Sequence, residues 1–257
     1  MLLAIDVGNT NTQFGVFDEA VLRADWRLAT HGNGTADEMG LLSLSLLERE
    51  EIAAERISGI VVASVVPPLT GALARMSERY FGVEPLLVTA DLVDDLPILY
   101  DPPGDVGADR IVNAVAARQK YGVPAVVVDF GTATTFDVIN GEGAYLGGVI
   151  ATGVGVSADA LFARAARLPR VDVMRPQQVI GRSTVGSVRS GLFYGYADLV
   201  DGLLRRITQE LGSEPTVIAT GGWAVRVGEA CELIQHVDLL LTLEGLKIIH
   251  ARYASQP

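Results

Sequence analysis

Cysteine is almost absent from this chain. Cys231 stands alone among 257 residues, which excludes an intrachain disulfide and with it a disulfide-stapled secreted scaffold. Histidine is nearly as scarce: His31, His236 and His250 lie far apart and offer little from which to build a zinc site. Positive charge is in deficit, with 20 Lys and Arg against 31 Asp and Glu and a formal net charge of −11. Nucleic-acid backbones are bound by clustered Lys and Arg, so no nucleic-acid partner is expected. No apolar run approaches the roughly 20 residues of a membrane-crossing helix, so no membrane partner is expected either. The opening MLLAIDVGN reaches Asp6 at once and has no basic leader. It does not read as a signal peptide, and a cytoplasmic location is expected.

What is present is a globular composition. Apolar residues make up 49 % and charged residues 20 %, and 28 glycines provide for many tight turns. Short apolar, largely β-branched runs end in turn-forming residues at 2–6, 13–17, 60–66, 85–89, 125–130, 216–219 and 239–243, and these predict strands. Helical spacing appears between them. Ile111, Val112 and Val115 share one face of 109–120, and Leu199, Leu203, Leu204, Ile207 and Leu211 form a stripe along 198–211. That stripe fits either a core or a dimer interface. Alternating strands and helices predict an α/β protein with strands buried on both faces. Only 31–37 and the last few residues read as low in order, and Trp26, Trp223 and Cys231 read as packing residues.

The halves of the chain resemble each other. Residues 2–16 read LLAIDVGNTNTQFGV and 125–139 read AVVVDFGTATTFDVI. Placing Asp6 on Asp129 sets Gly8 on Gly131 and Thr12 on Thr135 without a gap. Each copy is an apolar strand ending in Asp-x-Gly, then small hydroxyl or amide residues, then a second strand. A carboxylate at a strand end suits a hydrated Mg²⁺, and glycine lets backbone amides approach a phosphate. Duplication predicts two domains, 1–115 and 116–257, with a ligand cleft between them.

These hairpins resemble the phosphate-binding hairpins of the actin, hexokinase and acetate kinase superfamily. Within it the chain is most similar to type III pantothenate kinases. The similarity runs through DVGNTNTQFGVF at 6–17, TADE at 35–38, SVVPP at 64–68, GADR at 107–110 and DFGTATTFDV at 129–138. It continues through GGVI at 147–150, SADALF at 157–162, LPRV at 168–171, TGG at 220–222 and LTLEGL at 241–246. The resemblance implies a duplicated ribonuclease H-like (actin-like ATPase) fold and ATP-dependent phosphorylation of pantothenate, the first step of coenzyme A biosynthesis.

It also implies roles for particular residues. Asp6, Val7, Gly8, Asn9, Thr10, Asn11, Thr12 and Gln13 would form the first ATP-binding segment. Thr132, Gly221 and Gly222 would also touch ATP. Asp109 would be the general base, and Tyr100, Gly107, Ala108, Asp109, Arg110 and Thr184 would contact pantothenate. Asp6, alone or with Asp129, would hold Mg²⁺ through water, and Asp129 would sit by a monovalent cation, K⁺ or NH₄⁺. Members of the family are homodimers. The chain departs from the usual family pattern in having Thr152-Gly153 for Pro-Gly, Ser183 for Asn, and Val188-Arg189-Ser190-Gly191 for Met-Gln-Ser-Gly. Two other readings accompany this one. The first is a kinase or phosphatase of the superfamily acting on another small molecule; the second is a non-catalytic regulatory or accessory protein. Read without the family, Asp109 and Arg110 at a helix start would also suit dipole compensation plus an ion pair.

Overall fold

The computed structural model describes residues 1–165 and 167–253, and they divide into two compact units. The first unit holds Met1–Ala116 and the chain from Leu241; the second holds Ala117–Leu240. The first contains β1 (Leu2–Val7), β2 (Asn11–Asp18), β3 (Val21–Ala29), α1 (Ala36–Arg49), β4 (Gly59–Ser64), α2 (Pro67–Met76) and β5 (Leu86–Leu87). Helix α3 (Ala108–Tyr121) carries the chain across the dividing line. The second unit contains β6 (Ala125–Phe130), β7 (Ala133–Ile139), β8 (Tyr145–Thr152), α4 (Val154–Arg164), α5 (Thr184–Leu211), β9 (Thr216–Thr220) and β10 (His236–Val237). The chain then enters α6 (Leu241–Tyr253), in the first unit.

The duplication read from the sequence appears here as topology. The first sheet has the order β3-β2-β1-β4-β5, and the second has β8-β7-β6-β9-β10. In each, three antiparallel strands are followed by two that run parallel to the first. Central strands β1 and β6 are buried almost throughout, as strands covered on both faces must be. Edge strand β3 alternates exposed and half-buried positions. One core of the first unit joins Leu3, Ile5 and Phe14 of the sheet to Leu47 of α1 and Leu73 of α2. The main core of the second joins Val126, Val128 and Phe136 to Val200 and Leu204 of α5.

Local chemistry explains the element ends. Thr35 caps α1 in a reciprocal box with Glu38: the Thr35 hydroxyl accepts the Glu38 N–H, and the Glu38 carboxylate accepts the Thr35 N–H. The segment 31–37, read as low in order, is thus a turn closed by Gly34 N–H to His31 O (2.8 Å) and a helix start. Pro67 and Pro68 occupy the first turn of α2, where a missing N–H costs nothing. The other segment read as low in order, the last few residues, lies largely outside the described ones.

Two expectations differ from the structure. The run 239–243 was expected as a strand; instead Asp238 Oδ1 accepts the Leu240 N–H in a turn, and α6 starts at Leu241. Its buried residues Thr242, Gly245, Leu246 and Ile249 have helical spacing, which becomes visible only beyond residue 243. The helix also lies in the first unit rather than with 116–257. Gly15 of β2 packs against Leu243, and Gly245 packs against the Val112 backbone of α3, both contacts that a side chain would obstruct.

Candidate active site

In both units the hairpin residues singled out from the sequence lie at the carboxyl ends of parallel strands, the usual place for a ligand in open α/β sheets. Half-buried Asp6 lies near the end of β1, level with Gln13 of β2 and Ala63 of β4. The turn that follows closes with Gly8 N–H to Asn11 O (3.0 Å), leaving Asn9 and Thr10 exposed at its tip. Asn11 is exposed, whereas Val7, Thr12 and Gln13 are buried.

Asp109 sits in the first turn of α3, whose start is marked by Ile111 N–H donating to Gly107 O. Its carboxylate accepts the Arg110 N–H at 2.8 Å. A side chain on Gly107 would place its Cβ 2.6 Å from Asp109 Oδ1, so this glycine leaves the carboxylate its space. That Cβ would also lie 3.5 Å from Val65, whose N–H bonds the Val7 carbonyl. Asp109 is thereby tied to the same strand ends that carry Asp6. Burial pushes the Asp109 carboxyl above the ordinary carboxylate range, and the Arg110 N–H and charge pull it back only in part. A carboxylate placed there merely to compensate the helix dipole would be lowered, not raised. Arg110 itself is buried.

The second hairpin repeats the first with a shorter turn. Gly131 N–H donates to Ala133 O (3.0 Å), so exposed Thr132 alone forms the tip. Asp129 is level with Thr135, whereas Asp6 is level with Gln13. The gapless alignment of the two copies therefore slips by one residue beyond the glycine: Thr12 corresponds to Thr134, not Thr135, and both are buried. Gly221 follows β9 with φ +90° and lies directly against the Asp129 carboxylate, its imagined Cβ 2.7 Å from the Phe130 backbone. Gly222 next to it is exposed.

The remaining residues are placed as follows. Thr184 is the exposed first residue of α5, and Ser183 before it caps the helix by accepting the Gly186 N–H (3.1 Å). Serine and asparagine both cap well, so this departure from the family pattern preserves the helix start. Gly153 donates its N–H to Thr132 O, and a Cβ there would run into the Gly131 and Thr132 carbonyls. The departure at Thr152 thus retains the glycine that the second turn requires. Tyr100 is half-buried in the segment leading into α3. Arg189 is half-buried on α5. Cys231 is buried, its thiol pushed up to about 12 by burial and by Asp201 and Asp198, which suits packing and not nucleophilic chemistry. Of the stripe on α5, Leu204 is buried and Leu203, Ile207 and Leu211 pack on the core, while Leu199 is exposed.

Sequence reasoning missed Thr30, just past β3. It touches the first turn three times, and no motif marks it because its partners lie 18 to 22 residues away.

The duplicated order of strands defines an actin-like ATPase and sugar-kinase type of fold. A hexokinase of the ROK type from Thermus thermophilus superposes with a TM-score of 0.51 at 14 % identity, over 99 % of each chain. A structure described as a putative Baf family transcriptional activator from Campylobacter jejuni superposes with a TM-score of 0.64 at 19 % identity, covering 99 % of this chain and 100 % of that one. At such identities the likeness concerns the fold alone.

Sequence comparison is more specific. Residues 2–206 match the family described as type III pantothenate kinase. The type III pantothenate kinase of Koribacter versatilis is 49 % identical over 265 aligned positions, covering 99 % of this chain and 97 % of that one. The chain belongs to the type III pantothenate kinase family.

Proposed function

We propose that this chain transfers the γ-phosphoryl group of ATP to the primary hydroxyl of pantothenate, giving 4′-phosphopantothenate, the first step of coenzyme A biosynthesis. Family membership supports the substrates. The observation that carries the chemistry is the Asp109 carboxylate: it is held above its ordinary range by burial, oriented by the Arg110 N–H and given space by Gly107. A general base works best when its pKa is moved toward the working pH. In this reading Asp109 accepts the hydroxyl proton as the oxygen attacks the γ-phosphorus. Gly107, Ala108, Arg110, Tyr100 and Thr184 orient pantothenate.

Asp6 to Gln13, Thr132, Gly221 and Gly222 bind ATP, with turn amides holding phosphate oxygens. Among the described residues no three His, Cys, Asp or Glu side chains gather into a metal cage. A single carboxylate at a strand end suits Mg²⁺, which keeps several waters and takes other ligands from phosphates, and we assign Asp6 to it. Asp129, with the second turn beside it, is assigned to K⁺ or NH₄⁺. When bound, these ions offset the negative charge of the phosphates. The reaction is placed in the cytoplasm, and no helix among the described residues is long and apolar enough to cross a membrane.

A coupled ADP-release assay with ATP, Mg²⁺ and pantothenate tests the reading. Turnover that depends on pantothenate and falls when Na⁺ replaces K⁺ is the expected result. Folded protein that releases no ADP with either cation would refute it.

A homodimer belongs to the same proposal. Large apolar side chains stand exposed on the second unit, among them Ile150, Leu161, Val179, Leu199 and Ile180, the last 81 % exposed. A dimer interface covering these side chains would remove their apolar surface from water. Light scattering is expected to report twice the chain mass, and a single chain mass at assay concentration would count against it.

A further inference from the structure

The residue that follows the third strand grips the turn in both units, but with different chemistry. In the strand registers, Thr12 lies opposite Leu28, and Thr134 lies opposite Ala151. Ala29 therefore corresponds to Thr152, and Thr30 to Gly153. Gly153 donates its N–H to the tip carbonyl of Thr132 (3.1 Å), and Thr30 donates its N–H to the tip carbonyl of Thr10 (2.9 Å). Only Thr30 adds a side chain. Its hydroxyl donates to Gly8 O at 2.7 Å and lies 2.9 Å from the Thr12 hydroxyl. The contrast is visible at Thr134, whose buried hydroxyl has no hydrogen-bond partner among the described residues because a glycine stands where Thr30 would be.

We propose that Thr30 is a positioning residue for the first phosphate-binding turn, acting through the Gly8 and Thr10 carbonyls; this rests on the assignment of that turn to ATP. The peptide group is planar and trans, so fixing a carbonyl fixes the N–H of the next residue on its opposite side. Holding Gly8 O toward Thr30 turns the Asn9 N–H away from Thr30, and holding Thr10 O fixes the plane of the following peptide. Glycine at position 8 leaves this peptide free to rotate, and a turn of two exposed residues has little packing of its own. The hydroxyl supplies the rigidity that the turn sequence lacks. Amides set in advance bind an anion without first having to be ordered. Thr30 touches no substrate in this arrangement, so its influence falls on ATP and leaves pantothenate aside.

The test compares Thr30→Val, Thr30→Ala and Thr30→Ser with the unaltered chain, measuring kcat and both KM values alongside thermal melting. Thr30→Val keeps the shape and removes the hydroxyl, and about a tenfold rise in the KM for ATP is expected, the loss of about one good hydrogen bond. The KM for pantothenate should stay within about twofold, and Thr30→Ser should restore ATP use to within about twofold. Thr30→Ala also removes the hydroxyl, so it should share the ATP defect of Thr30→Val while Thr30→Ser does not. The proposal is overturned if Thr30→Val matches the unaltered chain, if both KM values rise together, or if Thr30→Ser fails to restore ATP use. Should Thr30→Val not fold, Thr30→Ala and Thr30→Ser decide: a raised ATP KM in Thr30→Ala that Thr30→Ser restores supports the proposal, and equal ATP KM values in the two overturn it. Should the unaltered chain release no ADP, the assigned reaction fails instead. Calorimetric binding of a non-hydrolysable ATP analogue then compares the same variants, with a weaker Kd in Thr30→Val and recovery in Thr30→Ser as the expected result.

Discussion

Asp109→Asn is expected to lower kcat by about 10²–10⁴, the usual contribution of a positioned base, with both KM values little changed. Asn keeps the shape and can still accept the Arg110 N–H, so substrate binding has no reason to change. What disappears is the capacity to take a proton. The same substitution is expected to raise the melting temperature at neutral pH. Burial makes ionised Asp109 costly, because its folded-state carboxyl lies above the value it has in the unfolded chain. The penalty is fully present above the folded-state pKa and fades as the pH falls toward the ordinary carboxylate range, where Asp109 is protonated in both states. Asn carries no such penalty at any pH. The melting advantage of Asp109→Asn should therefore be largest near neutrality and shrink on acidification. In the unaltered enzyme, kcat/KM should fall on the acid side at a pH above that of an ordinary carboxylate. An Asp109→Asn variant that kept kcat within about tenfold would remove Asp109 from the base's role.

Gly221→Ala is expected to be strongly damaging at the second hairpin. Two independent costs meet there. The backbone stands at φ +90°, where a side chain adds about 1–3 kcal/mol. The new Cβ would also fall on the Asp129 carboxylate and 2.7 Å from the Phe130 backbone, and forced displacement in a packed site costs about another 1–3 kcal/mol. Gly212→Ala separates the two. Gly212 ends α5 at φ +69° with nothing within 4 Å of its imagined Cβ, so it should show the backbone cost alone, about 1–2 kcal/mol. Urea midpoints of the two variants provide the measurement. Because displaced Asp129 is the group assigned to the monovalent cation, Gly221→Ala should also lose its response to K⁺. A Gly221→Ala variant no less stable than Gly212→Ala would show that the Asp129 contact does not constrain the site.

Much of the arrangement was legible in the residues. The two Asp-x-Gly hairpins and the helix start around Asp109 rest on contacts between residues close in sequence, and the buried strands β1, β6 and β9 show themselves as short apolar runs ended by turn residues. Helices α1, α2 and α4 are not among those that the apolar spacing predicts, although the capping box at Thr35 and the paired prolines at 67 and 68 mark the first two. The slip between the copies, which moves the counterpart of Thr12 from Thr135 to Thr134, was invisible because one residue more or less in a turn leaves both sequences equally plausible.

The sequence by itself determined the duplicated α/β hairpins and the family, because both depend on local pattern and on motifs read in order along the chain. Tertiary structure alone decided that α6 belongs with the first unit, that burial outweighs the helix start at Asp109, and that Thr30 holds the turn at Gly8. Each of these depends on groups distant in sequence meeting in space. Burial and hydrogen bonding are properties of such meetings, which no local pattern encodes.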